Sequence, residues 1–501
     1  MSDQLFIPPV SLGILLTLIF SWFVGKQTDA EKARRQATGA LALHFAAMLV
    51  AAVAVAWTPG SRFSEAPWQW LVVDALNAIP LSLYAALSLG VVVLAPKRKL
   101  TPRWLAGIMV MCAMTCLAYA ANNLLIFTLG WAGSLAPFLL TRAFAMPGVA
   151  ADIKGPGVAD AGGRRHTLPL PARIALWASL VSLCAGMALL VYAAPEAGLN
   201  EALGLTLARQ GDAPPVFAAF AFLMGAVILR KGLFPAHSWL APAFEQGPLL
   251  PMILLVNGHL GAFLVARIVL PLTPDMAHHA WSLLSNLSLF TAGYAALLAL
   301  VARNPRRLLA MVSISQAAFL LTGLESNTQV GIAGSLTLWQ VVAMSTTMLA
   351  AVYAAIEARL GGWPGQPGFL GLAAGAPRLA VFFAVGGLAL VGAPLTLGFP
   401  AEDLLLQGTL VTNPYLGVVL PVVTALNAFS VMRMFARLFL GRPVAAAPGM
   451  ADALPRERLA LTAALLFLLA GGLFPAALIR LPAVAAARIA AMMPGQQHSG
   501  R

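Results

Sequence analysis

The chain reads as an all-α polytopic membrane protein of about fourteen transmembrane helices; composition, run length and charge placement all point there. Hydrophobic residues fill 60% of 501 positions and charged ones only 10%, with a mean hydropathy of +0.84. A soluble protein would carry about 25% charged residues. The apolar residues come in runs of about twenty, the length a helix needs to cross roughly 30 Å of hydrocarbon. A β-barrel would show short alternating segments instead. The net charge of +13 includes no basic run with interleaved aromatics, which excludes a nucleic-acid surface. Most of the 31 Lys and Arg fall in alternate connections, the positive-inside pattern.

In chain order the runs lie near 6–25, 38–57, 76–95, 103–120, 122–141, 173–194, 215–231, 249–270, 280–302, 307–324, 329–356, 379–398, 413–436 and 458–479. The fourth and fifth are parted only by a tight turn at Asn122 and Asn123. Basic connections begin with Lys26, Lys32, Arg34 and Arg35, include Arg230 and Lys231, and end with Arg433, Arg437, Arg442, Arg456 and Arg458. Only Arg62, Arg209, Arg267, Arg480, Arg488 and Arg501 fall on the other side. This bias predicts both termini outside the cytoplasm of a bacterial inner membrane. Met1 to Pro9 has no basic n-region, so no cleavable signal is expected. The longest polar connection, 143–170, predicts a flexible cytoplasmic loop too small for a catalytic domain. The organisation expected is 1–100 (helices 1–3), 101–270 (helices 4–8), 271–440 (helices 9–13) and 441–501 (helix 14 and tail).

The seventh run, Ile228-Leu-Arg-Lys-Gly-Leu-Phe-Pro-Ala-His-Ser-Trp-Leu240, sets Arg230 and Lys231 beside Gly232 and Pro235. A cation in lipid costs roughly 3 kcal/mol on insertion scales, so it marks function by default. Gly and Pro open the backbone, which a membrane tolerates only where protein or water covers the gap. The twelfth run is interrupted likewise, in Gly392-Ala-Pro-Leu-Thr-Leu-Gly-Phe-Pro400, at Pro394 and Pro400. Two broken spans five helices apart predict inverted repeats, helices 4–8 and 9–13, with transport sites at the breaks.

Several motifs resemble the proton-translocating antiporter-like superfamily, the membrane subunits of respiratory complex I and of Mrp sodium/proton antiporters. Leu233-Phe-Pro-Ala-His-Ser-Trp-Leu240, with Glu245 and Gly247-Pro248, resembles its helix 7–8 segment. Asn304-Pro-Arg-Arg-Leu-Leu-Ala-Met-Val-Ser-Ile-Ser-Gln316 is similar to its helix 9–10 joint, Ala389 to Phe399 to its broken helix 12, and Val72-Val-Asp-Ala-Leu76 to the Asp that opens helix 3. The resemblance covers roughly residues 70 to 440. The chain departs from it where the family's proton path carries charge. The helix 5 Glu after Trp is replaced by Ala132 after Trp131, and Leu338 to Met348 lacks the helix 11 His and Lys. Ala401 stands for the helix 12 Lys, beside Glu402 and Asp403, and the helix 8 His has no clear counterpart, His259 lying one turn on. Gly130-Trp-Ala-Gly-Ser-Leu135 resembles the membrane subunit of DAB-type inorganic-carbon accumulation complexes. That branch implies a large zinc carbonic-anhydrase-like partner, with zinc in the partner and no cofactor in this chain.

The candidate proton path is therefore Lys231, Arg230, His259, His237, Glu245, Asp74, Glu402 and Asp403. Burial disfavours a charged lysine, while arginine keeps its proton. Lys231 is thus the expected carrier, although register puts Arg230 at the family's Lys position; a pair snorkelling to lipid phosphates is the alternative. His259 and His237 suit relay work or hydrogen-bonded structural roles. Glu245 is either Lys231's partner or a rim carboxylate, Asp74 structural or conducting, and Glu402 with Asp403 an outer exit or a helix end. Ser315, Gln316, Ser345, Thr346 and Thr347 are candidates to hold water or to bond between helices. Cys112 and Cys116 share a helix face and read, with Cys184, as small core residues and not as a metal or disulfide framework. His44 reads as a packing or interfacial residue and His278-His279 as solvated.

Three functions follow from these readings. The first is a proton- or sodium-conducting subunit that energises carbon accumulation. The second is an antiporter-like subunit of a complex I, hydrogenase or Mrp assembly. The third is a non-conducting scaffold for a soluble partner.

Overall fold

The computed structural model describes residues 8–64, 70–97, 100–141, 143–144, 168–193, 214–272, 274–326, 328–361, 368–412, 414–442 and 450–492. The expected loop at 143–170 lies almost entirely outside them, as do the side chains of His278 and His279. All fourteen apolar runs form helices. Among the described residues nine helices are long and apolar enough to cross a membrane. Four shorter apolar helices, Pro9–Gly25, Ala78–Leu94, Leu124–Leu139 and Pro377–Leu390, and one pair bent by 80° at Phe474 make up the remainder. The only sheet among the described residues is a two-stranded hairpin, β1 (Phe63–Ser64) with β2 (Val72–Val73), Phe63 opposite Val73.

Two compact units divide the chain, one mainly of residues 1–261 and the other mainly of 262–501. The first holds α1 (Pro8–Gly25), α2 (Ala30–Trp57), α3 (Ala78–Leu94), α4 (Pro102–Ala120), α5 (Leu124–Leu139), α6 (Leu170–Tyr192), α7 (Pro214–Lys231), α8 (Leu240–Gln246) and α9 (Leu249–Asn257). Here α1 packs on α2 and α4, α4 on α5, and α6 on α7. Leu12, Trp22 and Phe23 on α1, Val181 on α6 and Phe217 on α7 stay exposed, as lipid-facing side chains should.

Local chemistry sets the helix starts. Thr101 accepts from Trp104 N at 3.1 Å and opens α4 with Pro102 in its first turn. Asn123 accepts from Leu125 N at 2.8 Å and opens α5. Both are N-cap residues whose side-chain oxygen satisfies a free backbone N–H. Asp74 acts in the same way ahead of α3: its carboxylate accepts from Leu76 N at 3.1 Å and its carbonyl from Ala78 N at 3.0 Å. Asn77 ties this turn down through Val72 O at 2.7 Å and Tyr119 O at 2.8 Å.

The second unit begins with α10 (Leu260–Leu264), which starts in the first and leads into a π-helical turn, Val265–Val269, and α11 (Leu270–Leu272). It continues with α12 (Pro274–Val301), α13 (Pro305–Leu324), α14 (Gln329–Leu360), α15 (Pro377–Leu390), α16 (Gly398–Leu410), α17 (Leu416–Phe439), α18 (Pro455–Leu473) and α19 (Pro475–Ala491). The 32-residue α14 is its centre, packed by α13, α15, α16 and α19. Asn304 and Pro305 open α13 as the Asn-Pro motif anticipates, Asn304 Oδ1 accepting from Arg306 N at 2.9 Å. Arg306 then grips Glu357 through Nε at 2.8 Å and Nη2 at 2.7 Å, and Arg359 meets Glu457 at 2.6 Å. Both bridges neutralise cations that the sequence places in connections.

Backbones meet directly where α14 passes α16. A Cβ on Gly408 would stand 1.9 Å from Gly331 N, and one on Gly334 2.4 Å from Leu405 N. Only glycine fits there. Gly408→Val is expected to force the helices apart and cost about 1–3 kcal/mol, as overpacking does. A fall in the detergent-solubilised melting temperature checks this, and an unchanged midpoint would contradict the contact.

Candidate functional site

The seventh apolar run is broken as its sequence demands. Gly232, at φ +65°, ends α7 in the left-handed region. Leu233 N then reaches back to Ile228 O at 3.0 Å, the long bond of a Schellman ending. A carbonyl freed by the ending, Leu229 O, is taken by the indole Nε1 of Trp239 at 2.9 Å. A cis Phe234–Pro235 bond and a 3₁₀ turn, Ala236–Trp239, carry the chain into α8.

The eighth run is broken too, which the sequence reading missed. The helix α9 stops at Asn257, and His259 adopts φ 39°, a left-handed conformation that histidine tolerates better than most side chains. The opened Gly258 carbonyl accepts from the hydroxyl of Tyr119, which stands edge-on to Tyr84 with centroids 6.2 Å apart.

The two breaks bring Lys231 and His259 together. Lys231 is 2% exposed and His259 1%, and Lys231 Nζ bonds His259 Nδ1. Arg230, 5% exposed, donates from Nη2 to Ser134 Oγ at 2.8 Å. Its guanidinium lies 4.3 Å from the centroid of Trp131, a cation–π contact. Ser134 Oγ in turn donates to Trp131 O at 2.7 Å, so α5 offers Arg230 an oriented hydroxyl and an aromatic face. Among the described residues no carboxylate pairs with either cation. The snorkelling alternative does not hold, because both side chains point into protein; for the same reason they leave the tally of loop cations. Lys231 and His259 share a proton-bearing contact, and Arg230 is a fixed positive charge beside it.

The other expected residues scatter. His237 sits half-buried in the 3₁₀ turn, stacked on Phe234 at 5.8 Å. Glu245 is half-buried on α8, and the bonded partner of Lys231 is His259, not this carboxylate. Asp74 is held in its capping turn. In the second unit Gly392, φ +66°, and Leu395, φ +69°, open the break between α15 and α16. Glu402 lies against that break: a Cβ on Gly392 would come 2.5 Å from its Oε2, and Thr424 Oγ1 stands 3.5 Å from the same oxygen. Asp403 is exposed and accepts from Gln407 Nε2 at 2.8 Å. Pro394 lies in the break, whereas Pro400 belongs to the first turn of α16. Of the candidate water-holders, Ser315 is engaged by Asn427 at 2.8 Å and Thr346 by Val342 O at 2.6 Å. The Gln316 amide and the Ser345 hydroxyl are buried without a hydrogen-bond partner.

Sequence reasoning missed four residues besides the eighth-run break. Ser134 and Trp131 were visible only as a family motif, and Tyr119 had no signal. Glu325 ends α13 almost fully buried, 3% exposed, 3.5 Å from Ser288 Oγ. It escaped notice because Glu325-Ser-Asn-Thr328 reads as a solvated turn.

The family described as NADH:quinone oxidoreductase/Mrp antiporter, TM, matches residues 172–427, just over half of the chain. The chain belongs to this family. NADH-quinone oxidoreductase subunit 13 of Thermus thermophilus is 28% identical over 382 residues, 75% of this chain and 74% of that protein. Subunit M of Rickettsia prowazekii is 26% identical over 228 residues, and the match spans only 45% of either chain. A chain of respiratory complex I from Thermus thermophilus superposes with a TM-score of 0.80 at 23% identity, covering 97% of this chain and all of that one. A chain of the Mrp complex from Dietzia sp. DQ12-45-1b gives 0.78 at 20% identity, covering 98% of each. These likenesses establish an antiporter-like helical membrane fold, whose relatives are subunits of multi-subunit membrane complexes.

Trp239→Phe removes the N–H that satisfies Leu229 O, and a lost hydrogen bond of this kind is worth about 1 kcal/mol. A lower unfolding midpoint in detergent is the expected result; no change would mean that the carbonyl finds another donor.

Proposed function

We propose that this chain is an antiporter-like proton-translocating subunit of a complex I- or Mrp-type membrane assembly, with Lys231 and His259 as its proton-holding pair. The observation that carries the reading is a pair of buried adjacent basic residues with no carboxylate bonded to either among the described residues, where two helices break. A charge buried without a counter-charge is costly unless it can be shed. Arginine cannot shed it, and lysine can. Arg230, fixed by Ser134 and Trp131, repels a proton on Lys231 and so favours its passage to the imidazole of His259. His237 and Glu245, half-buried on the segment after the break, would serve as the rim through which protons arrive.

Protons suit this site better than sodium. Broken helices bind sodium through freed backbone carbonyls. Here Leu229 O and Gly258 O are already taken by Trp239 and Tyr119, and the two buried side chains that meet do so through nitrogens, Lys231 Nζ and His259 Nδ1. Glu402 and Glu325 would serve the second unit, which lacks the basic residues of its relatives' proton path. Asp74 and Asp403 fit capping and surface roles.

A second reading, cation flow that energises carbon accumulation with a zinc carbonic-anhydrase-like partner, rests on Gly130 to Leu135, whose Ser134 holds Arg230. Metal analysis of the proteins that co-purify with the tagged chain separates the two. We also retain the four-part division at residues 100, 270 and 440, inverted repeats, and both termini outside the cytoplasm. A C-terminal alkaline phosphatase fusion should be active in cells; an inactive, stably made fusion would reverse that orientation.

In vesicles holding the whole assembly, Lys231→Ala should cut proton flux at least tenfold, with Glu245→Gln affecting it less than threefold. Full flux in Lys231→Ala, with the protein correctly inserted, would leave a membrane scaffold as the better description.

A further inference from the structure

A second buried cluster lies in the first unit, among helices α1 to α4, and no part of it belongs to the proton site. His44 of α2 and Cys112 and Cys116 of α4 are each within 1% of complete burial, and their ligand-type atoms all lie within 4.8 Å of one another. The two cysteines are one helical turn apart and so project from the same face of α4. Across from them α2 supplies the imidazole, with His44 Nε2 standing 3.4 Å from Cys116 Sγ.

The histidine is held in the tautomer a ligand needs. Its Nδ1 lies 3.0 Å from Gly13 O and 3.0 Å from Thr17 Oγ1, while the Thr17 hydroxyl gives its own proton to Gly13 O at 2.8 Å. A carbonyl can only accept, so Nδ1 carries the hydrogen. That leaves the Nε2 lone pair directed at the sulfur. Metal-ligating histidines are oriented by just such a bond from the far nitrogen to a backbone carbonyl. Ser88 of α3 is fully buried, with its hydroxyl set against the Cys112 thiol.

We propose that His44, Cys112 and Cys116 form a structural site for a thiophilic closed-shell cation, and that charge balance selects Zn²⁺. Zinc bonds sulfur at about 2.3 Å and imidazole nitrogen at about 2.0–2.1 Å in tetrahedral geometry, which sets such a pair about 3.5 Å apart. The observed 3.4 Å already matches that spacing. Binding converts both thiols to thiolates and releases two protons; one Zn²⁺ and two thiolates then sum to zero charge. Cu⁺ in the same set would leave a net negative charge in a dry interior, which is unfavourable. The Ser88 hydroxyl is the oxygen available for a fourth position. Such a site would staple α2 to α4 and, through Ser88, to α3.

The test uses the full-length chain extracted with its native partners, without chelators. Metal analysis by mass spectrometry should find about one zinc per chain in the wild type and a loss of at least fivefold in C112S/C116S and in His44→Gln. To separate a lost site from a lost fold, Co²⁺ is also titrated into wild-type protein after zinc removal. Thiolate-to-cobalt charge-transfer absorption is expected, and Zn²⁺ should bleach it with release of two protons. Stoichiometric copper in place of zinc would overturn the charge-balance assignment. No metal above the level of the double variant, together with no cobalt band, would overturn the site.

Discussion

Two basic side chains buried in a low-dielectric interior, with no carboxylate bonded to them among the described residues, dominate the first unit. Taking a charge from water into protein costs several kcal/mol even after relaxation, and Arg230 and Lys231 do so together. The structure meets this cost in two ways. Arg230 is spread over an aromatic face and a hydroxyl on α5, which suits a planar, permanently charged group. Lys231 is set against the imidazole of His259, a group able to accept a proton. A neutral interior would need neither device, and a salt bridge would hold the proton too firmly to pass it on.

The broken helices follow from the same constraint. Bringing a side chain at the end of α7 to one between α9 and α10 requires the backbone of both spans to open, and every opened carbonyl must find a donor where water is scarce. Trp239 and Tyr119 provide two of them from side chains. The second unit repeats the device with different chemistry. Its break at Gly392 faces the carboxylate of Glu402, and Glu325 is buried against Ser288. Acidic groups there and basic groups in the first unit mean that a proton would be held by different chemistry in each.

What could be read from residues alone divides along physical lines. Run length locates the apolar helices, because hydrocarbon thickness sets the scale of a span, although four of them are shorter than a full crossing. Gly232, Pro235 and the Gly392–Pro400 segment announce their breaks, since glycine and proline act locally. His259 is different. Its left-handed conformation is imposed by neighbours, so nothing in Val256-Asn-Gly-His259 beyond one glycine hints at it. Of the two readings open for Glu245, pairing with Lys231 is the one not met, since the fold gives that place to a residue 28 positions away. The His44 cluster joins helices 72 residues apart in sequence, and only packing discloses it.

The contact between Lys231 and His259 is the feature most open to direct measurement. Nitrogen-15 NMR of histidine-labelled protein in bilayers reports it directly, with His259→Asn identifying the resonance. The Nδ1 signal of His259 should shift when Lys231 is replaced by methionine, while the other imidazole signals stay in place. An unchanged His259 signal in that variant would contradict the pairing and the proton-transfer reading that rests on it.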